Sequence, residues 1–263
     1  MTPIERRPRW VAGNWKMHRT AVEGSALARE CVVLAAGDAA SASRVRVVIC
    51  PPFPGLSAVA SALEGSGMWL GAQNLHAEPQ GAFTGEVSAP MLSAAGCQVV
   101  LVGHSERRHG MGETDAQVAA KARAALQAGL VPVVCVGELL AEREAGRTAD
   151  VIVRQVAAVY EGLSLDEARS SVVAYEPVWA IGTGKVASPE QAVEAHRIIR
   201  ATLDRVVGAG AGAALAILYG GSVNAENAAL LFTHADVDGA LVGGAALQAA
   251  GFWRIAAAAG AAP

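Results

Sequence analysis

Short apolar runs recur along this chain, each followed by a longer stretch in which apolar residues repeat at helical spacing. The runs Trp10–Gly13, Val45–Cys50, Met68–Ala72, Val99–Val102, Val131–Val136, Ser171–Tyr175, Leu215–Tyr219 and Gly239–Val242 are rich in Val, Ile and Leu. Several are continuously apolar rather than alternating, as parallel strands covered on both faces should be. Helical patterns occupy Thr20–Ala36, Thr114–Ala128, Ala149–Tyr160 and Pro189–Val207. Ser188 stands where it can cap the last of these, with Pro189 at the first helical position and Gln191 at the third. Gly129 is a natural stop after Ala128.

Strand then helix, repeated with no linker long enough to separate one domain from another, predicts an α/β fold: a single (β/α)8 barrel over 1–263, eight parallel strands inside a ring of helices. Residues 1–9 read as a short polar leader, and the Ala-rich end, Ala256–Pro263, as a frayed terminus. A doubly wound open sheet is the structural alternative. The barrel is preferred because unusual segments follow strands from the first to the eighth. A barrel brings all such loops to one face, whereas an open sheet gathers its chemistry at a switch point.

Composition narrows the class. Hydrophobic residues make up 52% of the 263 and charged residues 17%, which supplies a core and excludes a disordered chain. A net charge of −3 argues against nucleic acid or an acidic membrane as partner, yet leaves room for a locally positive site. The cysteines Cys31, Cys50, Cys97 and Cys135 form no CxxC pair or Cys/His cluster, so they read as buried reduced thiols in a reducing, cytoplasmic setting. No metal site is expected. No run approaches the roughly 18 apolar residues of a membrane span, and no apolar segment behind Met1–Arg9 makes a secretory signal.

Four sets of strand-end residues carry candidate chemistry. Gly13-Asn14-Trp15-Lys16-Met17 places a lysine where it could neutralise a dianion, although a solvated loop lysine is the better account of NWK taken alone. Gly103-His104-Ser105-Glu106-Arg107-Arg108 sets His104 between a strand end and a starting helix. A helix N-terminus there would depress the imidazole's pKa and keep it neutral, able to donate to a carbonyl. Taken alone, His104 is as readily an ordinary histidine as an electrophile; His18, His76, His109, His196 and His234 are read as ordinary. Glu176 ends the sixth apolar run, where a carboxylate is costly to desolvate unless it has a task. After it, Pro177-Val178-Trp179-Ala180-Ile181-Gly182-Thr183-Gly184-Lys185 has a stiff start, an apolar middle and a permissive end, the profile of a lid. Gly220-Gly221-Ser222 and Gly243-Gly244 follow the last two strands and suit close backbone approach to an anion. No Walker or GxGxxG fingerprint stands between a strand and a helix, so nucleotide binding has no support.

In combination these segments resemble the triosephosphate isomerase family. GNWKM, GHSERR, YEPVWAIGTGK, YGGSV and LVGGA occur in that family's order and spacing, joined by AQN at Ala72–Asn74, GAFTGE at Gly81–Glu86 and CVGE at Cys135–Glu138. The resemblance covers about Val11 to Leu247. It implies a cofactor-independent aldose–ketose isomerase of glycolysis and gluconeogenesis acting on a small phosphorylated triose. By the same resemblance Glu176 is the general base and His104 the electrophile, with Lys16 and Asn14 binding substrate and Glu106 a further carboxylate of the site. Backbone N–H groups of Gly182, Ser222, Gly243 and Gly244 would hold the phosphate. The segment from Gln73 to Glu86, with Thr84 and Gly85, would plug into a second subunit of a homodimer. His18, Met111, Ala216 and Ala246 depart from the family pattern, and none of them is a motif residue that performs the chemistry. Two rivals remain: a Schiff-base aldolase, which needs a desolvated lysine inside the barrel, and a non-catalytic phosphosugar-binding barrel.

Overall fold

A computed structural model describes residues 7–181 and 187–262. Eight parallel strands close into a barrel in sequence order: β1 Arg9–Asn14, β2 Val45–Cys50, β3 Trp69–Ala72, β4 Val99–Val102, β5 Val131–Val136, β6 Val172–Tyr175, β7 Ala216–Tyr219 and β8 Gly239–Val242. β1 pairs with both β2 and β8, so no strand edge is left open. Four strands keep the bounds read from the sequence; β3, β6 and β7 start one residue later, and β1 gains one residue at each end.

Continuous apolarity along the strands follows from two cores. One side of each strand faces the barrel interior, where Trp10, Ala12, Val48, Cys50, Val99, Leu101, Val133, Cys135, Val172, Ala174, Ala216, Leu218 and Leu241 pack. The alternate residues, such as Val11, Ile49, Val100, Val134, Tyr175 and Ile217, pack under the surrounding helices. The same period of two carries upward beyond the apolar layers. Trp10 and Ala12 lead to Asn14, and Val172 and Ala174 lead to Glu176, so both polar residues emerge on the inner side at the mouth.

Helix ends are set locally. Helices Ala21–Gly37, Asp115–Gln127 and Pro189–Val206 begin with capping boxes made by Thr20 with Glu23, Thr114 with Gln117, and Ser188 with Gln191. Helix Thr148–Tyr160 buries Val151, Ile152, Val156 and Val159 against the barrel. All four cysteines are buried and free.

The two chain ends correct the sequence reading. Ala256 does not start a frayed tail: a helix spans Ala249–Ala261, and Ala256 and Ala259 are fully buried within it. Gly260 lets it lie close to the chain at Ser41, since a Cβ there would come within 2.8 Å of the Ser41 carbonyl oxygen. The supposed leader is partly built in as well. Arg9 opens β1, and the Arg7 guanidinium donates to Asp238 at 2.7 Å and to the Ala235 carbonyl at 2.7 Å. Residues 1–6 lie outside the described residues.

Candidate active site

The C-terminal mouth of the barrel holds a cavity of about 360 Å³. Asn14, Lys16, His104, Glu176, Ser222, Gly243 and Gly244 all line it, although they follow five different strands. Gly182, Thr183, Gly184 and Lys185, the far half of the expected lid, lie outside the described residues.

Glu176 is almost wholly buried. Its Oε1 meets His104 Nε2 at 2.9 Å, and its Oε2 accepts the Ser105 backbone N–H at 2.9 Å. Burial alone would push this carboxyl up. The imidazole beside it, the Ser105 N–H and the nearby Lys16 outweigh burial and hold it below the usual carboxylate range. The backbone around it is tightly fitted: a Cβ on Gly220 would stand 2.9 Å from Glu176 Cγ, and one on Gly137 would overlap the Glu176 carbonyl. Only glycine fits at either place.

His104 is the N-cap of the helical turn Ser105–Gly110, and its Nδ1 accepts the Glu106 backbone N–H at 3.3 Å. That leaves Nε2 to carry the proton donated to Glu176, so a neutral imidazole satisfies both contacts. Burial favours this neutral form, but the facing Glu176 carboxylate outweighs it and raises the pKa above the ordinary histidine value. The depressed pKa expected from the helix N-terminus is therefore not what this arrangement produces. Glu176 sits where that expectation placed no negative charge.

Lys16 has the left-handed backbone angle φ 52°, unusual for a residue with a side chain. Its N–H donates to Asn14 Oδ1 at 3.0 Å, and its carbonyl accepts from Gln73 Nε2 at 2.8 Å. The ammonium pairs with Glu106 Oε1 at 2.5 Å. Glu106 does not line the main cavity. It lines an adjoining one of about 310 Å³, together with Met17, Phe53 and Met111.

Two segments read from the sequence lie further out. Pro177 is buried, and a 3-10 turn over Val178–Ala180 starts the lid segment. Thr84, Gly85 and Glu86 are exposed on a loop closed at its base by the His76 N–H donating to the Val87 carbonyl at 2.8 Å.

Glu138, to which the sequence reading gave no role, is the site's main addition. Fully buried after β5, it accepts from Tyr175 Oη at 3.1 Å, from Trp179 Nε1 at 2.9 Å and from Arg143 Nη1 at 3.1 Å. Its own carbonyl takes the Val178 N–H at 3.2 Å. The start of the lid segment is thus tied to the loop after β5. The signal was present in CVGE: a carboxylate directly behind an apolar strand, the same feature that marked Glu176.

A family model described as triosephosphate isomerase matches residues 9–259. The chain belongs to the triosephosphate isomerase family. Triosephosphate isomerase of Bordetella pertussis is 55% identical over 258 residues, covering 98% of this chain and all of the relative. Those of Ralstonia nicotianae and Moorella thermoacetica are each 53% identical, over 251 and 250 residues, covering 95% of this chain and 98% of each relative. Family membership extends over all eight strands and over every cavity residue named above. Among the described residues no group of three or more His, Cys, Asp or Glu is arranged to hold a metal ion.

Proposed function

We propose that this chain interconverts dihydroxyacetone phosphate and D-glyceraldehyde 3-phosphate through an enediol(ate), with Glu176 as general base and His104 as electrophile. The observation that carries this reading is the 2.9 Å contact between His104 Nε2 and Glu176 Oε1 at the wall of the cavity. Two groups that touch each other can both reach neighbouring atoms of a three-carbon substrate placed between them. Glu176 takes the proton from the carbon beside the carbonyl and returns it to the adjacent carbon. His104 exchanges its bond to Glu176 for bonds to the two substrate oxygens as charge moves between them. Once the carboxylate has moved off, burial favours the neutral imidazole that this role needs.

Lys16 and Asn14 add positive charge and a polar contact beside the developing enediolate. Glu106 holds the Lys16 ammonium in place. A positioned base supplies about 10²–10⁴-fold and one preorganised oxyanion donor about 3–4 kcal/mol, so the rate needs both and a dry site besides. The segment Pro177–Lys185 is the lid, anchored at its start by the Trp179–Glu138 bond. Closure keeps water out and prevents the enediolate from expelling phosphate. The phosphate sits on backbone N–H groups of Gly182, Ser222, Gly243 and Gly244. No cofactor or metal takes part.

The protein acts as a cytoplasmic homodimer in this reading. No helix of the described residues is long and apolar enough to cross a membrane. Exposed Met17 and Met111 beside the 310 Å³ cavity offer an apolar socket for the partner's loop around Thr84, with Gln73 bracing the socket wall through Lys16. An aldolase fits poorly, since none of the eight strands carries a lysine.

A coupled assay with glyceraldehyde 3-phosphate tests the reading. Turnover is expected, and Glu176→Gln should lower kcat by at least about 10³-fold while a phosphorylated two-carbon acid still binds. Undiminished turnover in that variant refutes the role of Glu176. Binding without any turnover in the unaltered protein favours the non-catalytic barrel.

A further inference from the structure

The opposite mouth of the barrel carries a second basic recess. Arg46 of β2 lies in register with Trp10 of β1, close to Trp69 at the start of β3. Its guanidinium carbon is 4.6 Å from the Trp10 ring centre and 4.0 Å from that of Trp69, and the two indoles stand edge to face at 82°. Contacts of this kind fix the plane of a guanidinium while leaving its N–H edge free.

No acid and no hydrogen-bond acceptor among the described residues meets Arg46, and its burial acts alone in drawing its pKa down. Three other partly buried arginines are matched by acids, Arg108 by Asp115, Arg143 by Glu138, and Arg200 by Asp236 and Asp238, while Arg123 at least donates to the Glu161 carbonyl. Desolvating a cation without a counter-charge is costly, so the exception at Arg46 needs a reason. A cavity of about 370 Å³ adjoins it, lined also by Trp10, Arg169, Ser170 and Ser171. Among the described residues no Asp or Glu lines this cavity. Arg169 is half exposed, and among the described residues it meets only exposed Asp166, at a loose 3.9 Å.

We propose that this recess binds a small oxyanion with two or more negative oxygens, a phosphate or a di- or tricarboxylate, on the fork of Arg46 with Arg169 at the rim. The planar donor pair suits two oxygens at once, and the ligand supplies the charge that the protein withholds. The isomerase chemistry uses the C-terminal strand ends, whereas this recess lies at the N-terminal ends, so neither reading depends on the other.

The test uses the full chain labelled with 5-fluorotryptophan, in which Trp10→Phe and Trp69→Phe assign those two resonances among the five tryptophans. Titration with inorganic pyrophosphate, and in a second arm with citrate, should shift the Trp10 and Trp69 resonances saturably. A response to one arm only identifies which class of oxyanion the recess takes. Arg46→Met keeps the stem against the rings and should weaken binding by about tenfold or more, with kcat/KM unchanged. If that variant does not fold, Arg46→Lys keeps the charge, loses the paired donors, and should weaken binding in the same direction. No saturable shift from either anion up to about 10 mM overturns the proposal. So does an unchanged shift in the Arg46 variant. Saturation that appears only after residues 1–6 are deleted overturns it too, in favour of the chain's own leader as occupant.

Discussion

Replacing His196 by a side chain that cannot be protonated should flatten part of this protein's acid sensitivity. His196 lies on helix Pro189–Val206, fully buried, with its ring edge-on to Tyr175 at 6.0 Å. Nδ1 bonds the Asp236 carbonyl at 2.9 Å, so it carries the proton, while Nε2 is buried with no partner. A second proton would have to enter at Nε2, where nothing accepts it. Burial pushes the pKa down to about 4; Arg200 adds to this, and the Asp236 and Asp238 groups offset only part. The folded value thus lies below the unfolded value of about 6.5. The unfolded chain therefore binds the extra proton first as pH falls. Stability attributable to His196 is intact above about pH 6.5 and is lost progressively toward pH 4. Linkage gives a loss of roughly 2 kcal/mol by pH 5 and about 3 kcal/mol by pH 4. Urea unfolding followed by circular dichroism, at one protein concentration and at pH 7 and 5, measures it. In His196→Asn the Asp236 bond can be kept and the titration is gone. Each protein is compared with its own value at pH 7, so the variant's packing cost cancels. Its stability should fall by roughly 2 kcal/mol less between those pH values than the unaltered protein's does. An equal fall in both proteins would show that His196 is not the acid-sensitive group.

Glu138→Gln keeps the shape of the lid anchor but removes the charge from the bonds to Tyr175, Trp179 and Arg143; it should cost about 1–3 kcal/mol in stability. It should also raise the share of substrate lost as free phosphate, and an unchanged thermal midpoint with unchanged phosphate release would refute the anchor. Light scattering at micromolar protein should report a dimer, which a monomer mass contradicts. Thr84→Arg, placed on the exposed loop, should shift that mass toward the monomer and lower kcat/KM by at least about tenfold, as expected for a bulky charge driven into an apolar socket.

Glu176 and Glu138 show how far a sequence can be read. Both follow apolar strands, and both are carboxylates too costly to bury without partners. The lid segment marks Glu176 in the sequence, whereas CVGE by itself shows Glu138 only as one residue of a matching string. Its partners Tyr175 and Trp179 lie 37 and 41 residues away, and nothing local announces them. The Ala-rich end misleads for a related reason. Alanine runs look featureless until a neighbouring surface covers them, as it covers Ala256 and Ala259, with Gly260 against Ser41.

What the sequence determined by itself was whatever depends on near neighbours along the chain. The strand runs follow from apolar residues that must fill two cores, and the helix starts follow from Thr20, Thr114 and Ser188, each acting on the residue three ahead. The order of strand-end motifs also belongs to the chain alone. Barrel closure decided the rest, because it brings together residues that no spacing relates. It set Glu176 on His104, tied the lid segment to Glu138, and placed Arg46 against two indoles with no acid among the described residues. Charge and hydrogen-bonding partners are chosen across the barrel, and so the pKa of His104 could not be read from its own helix.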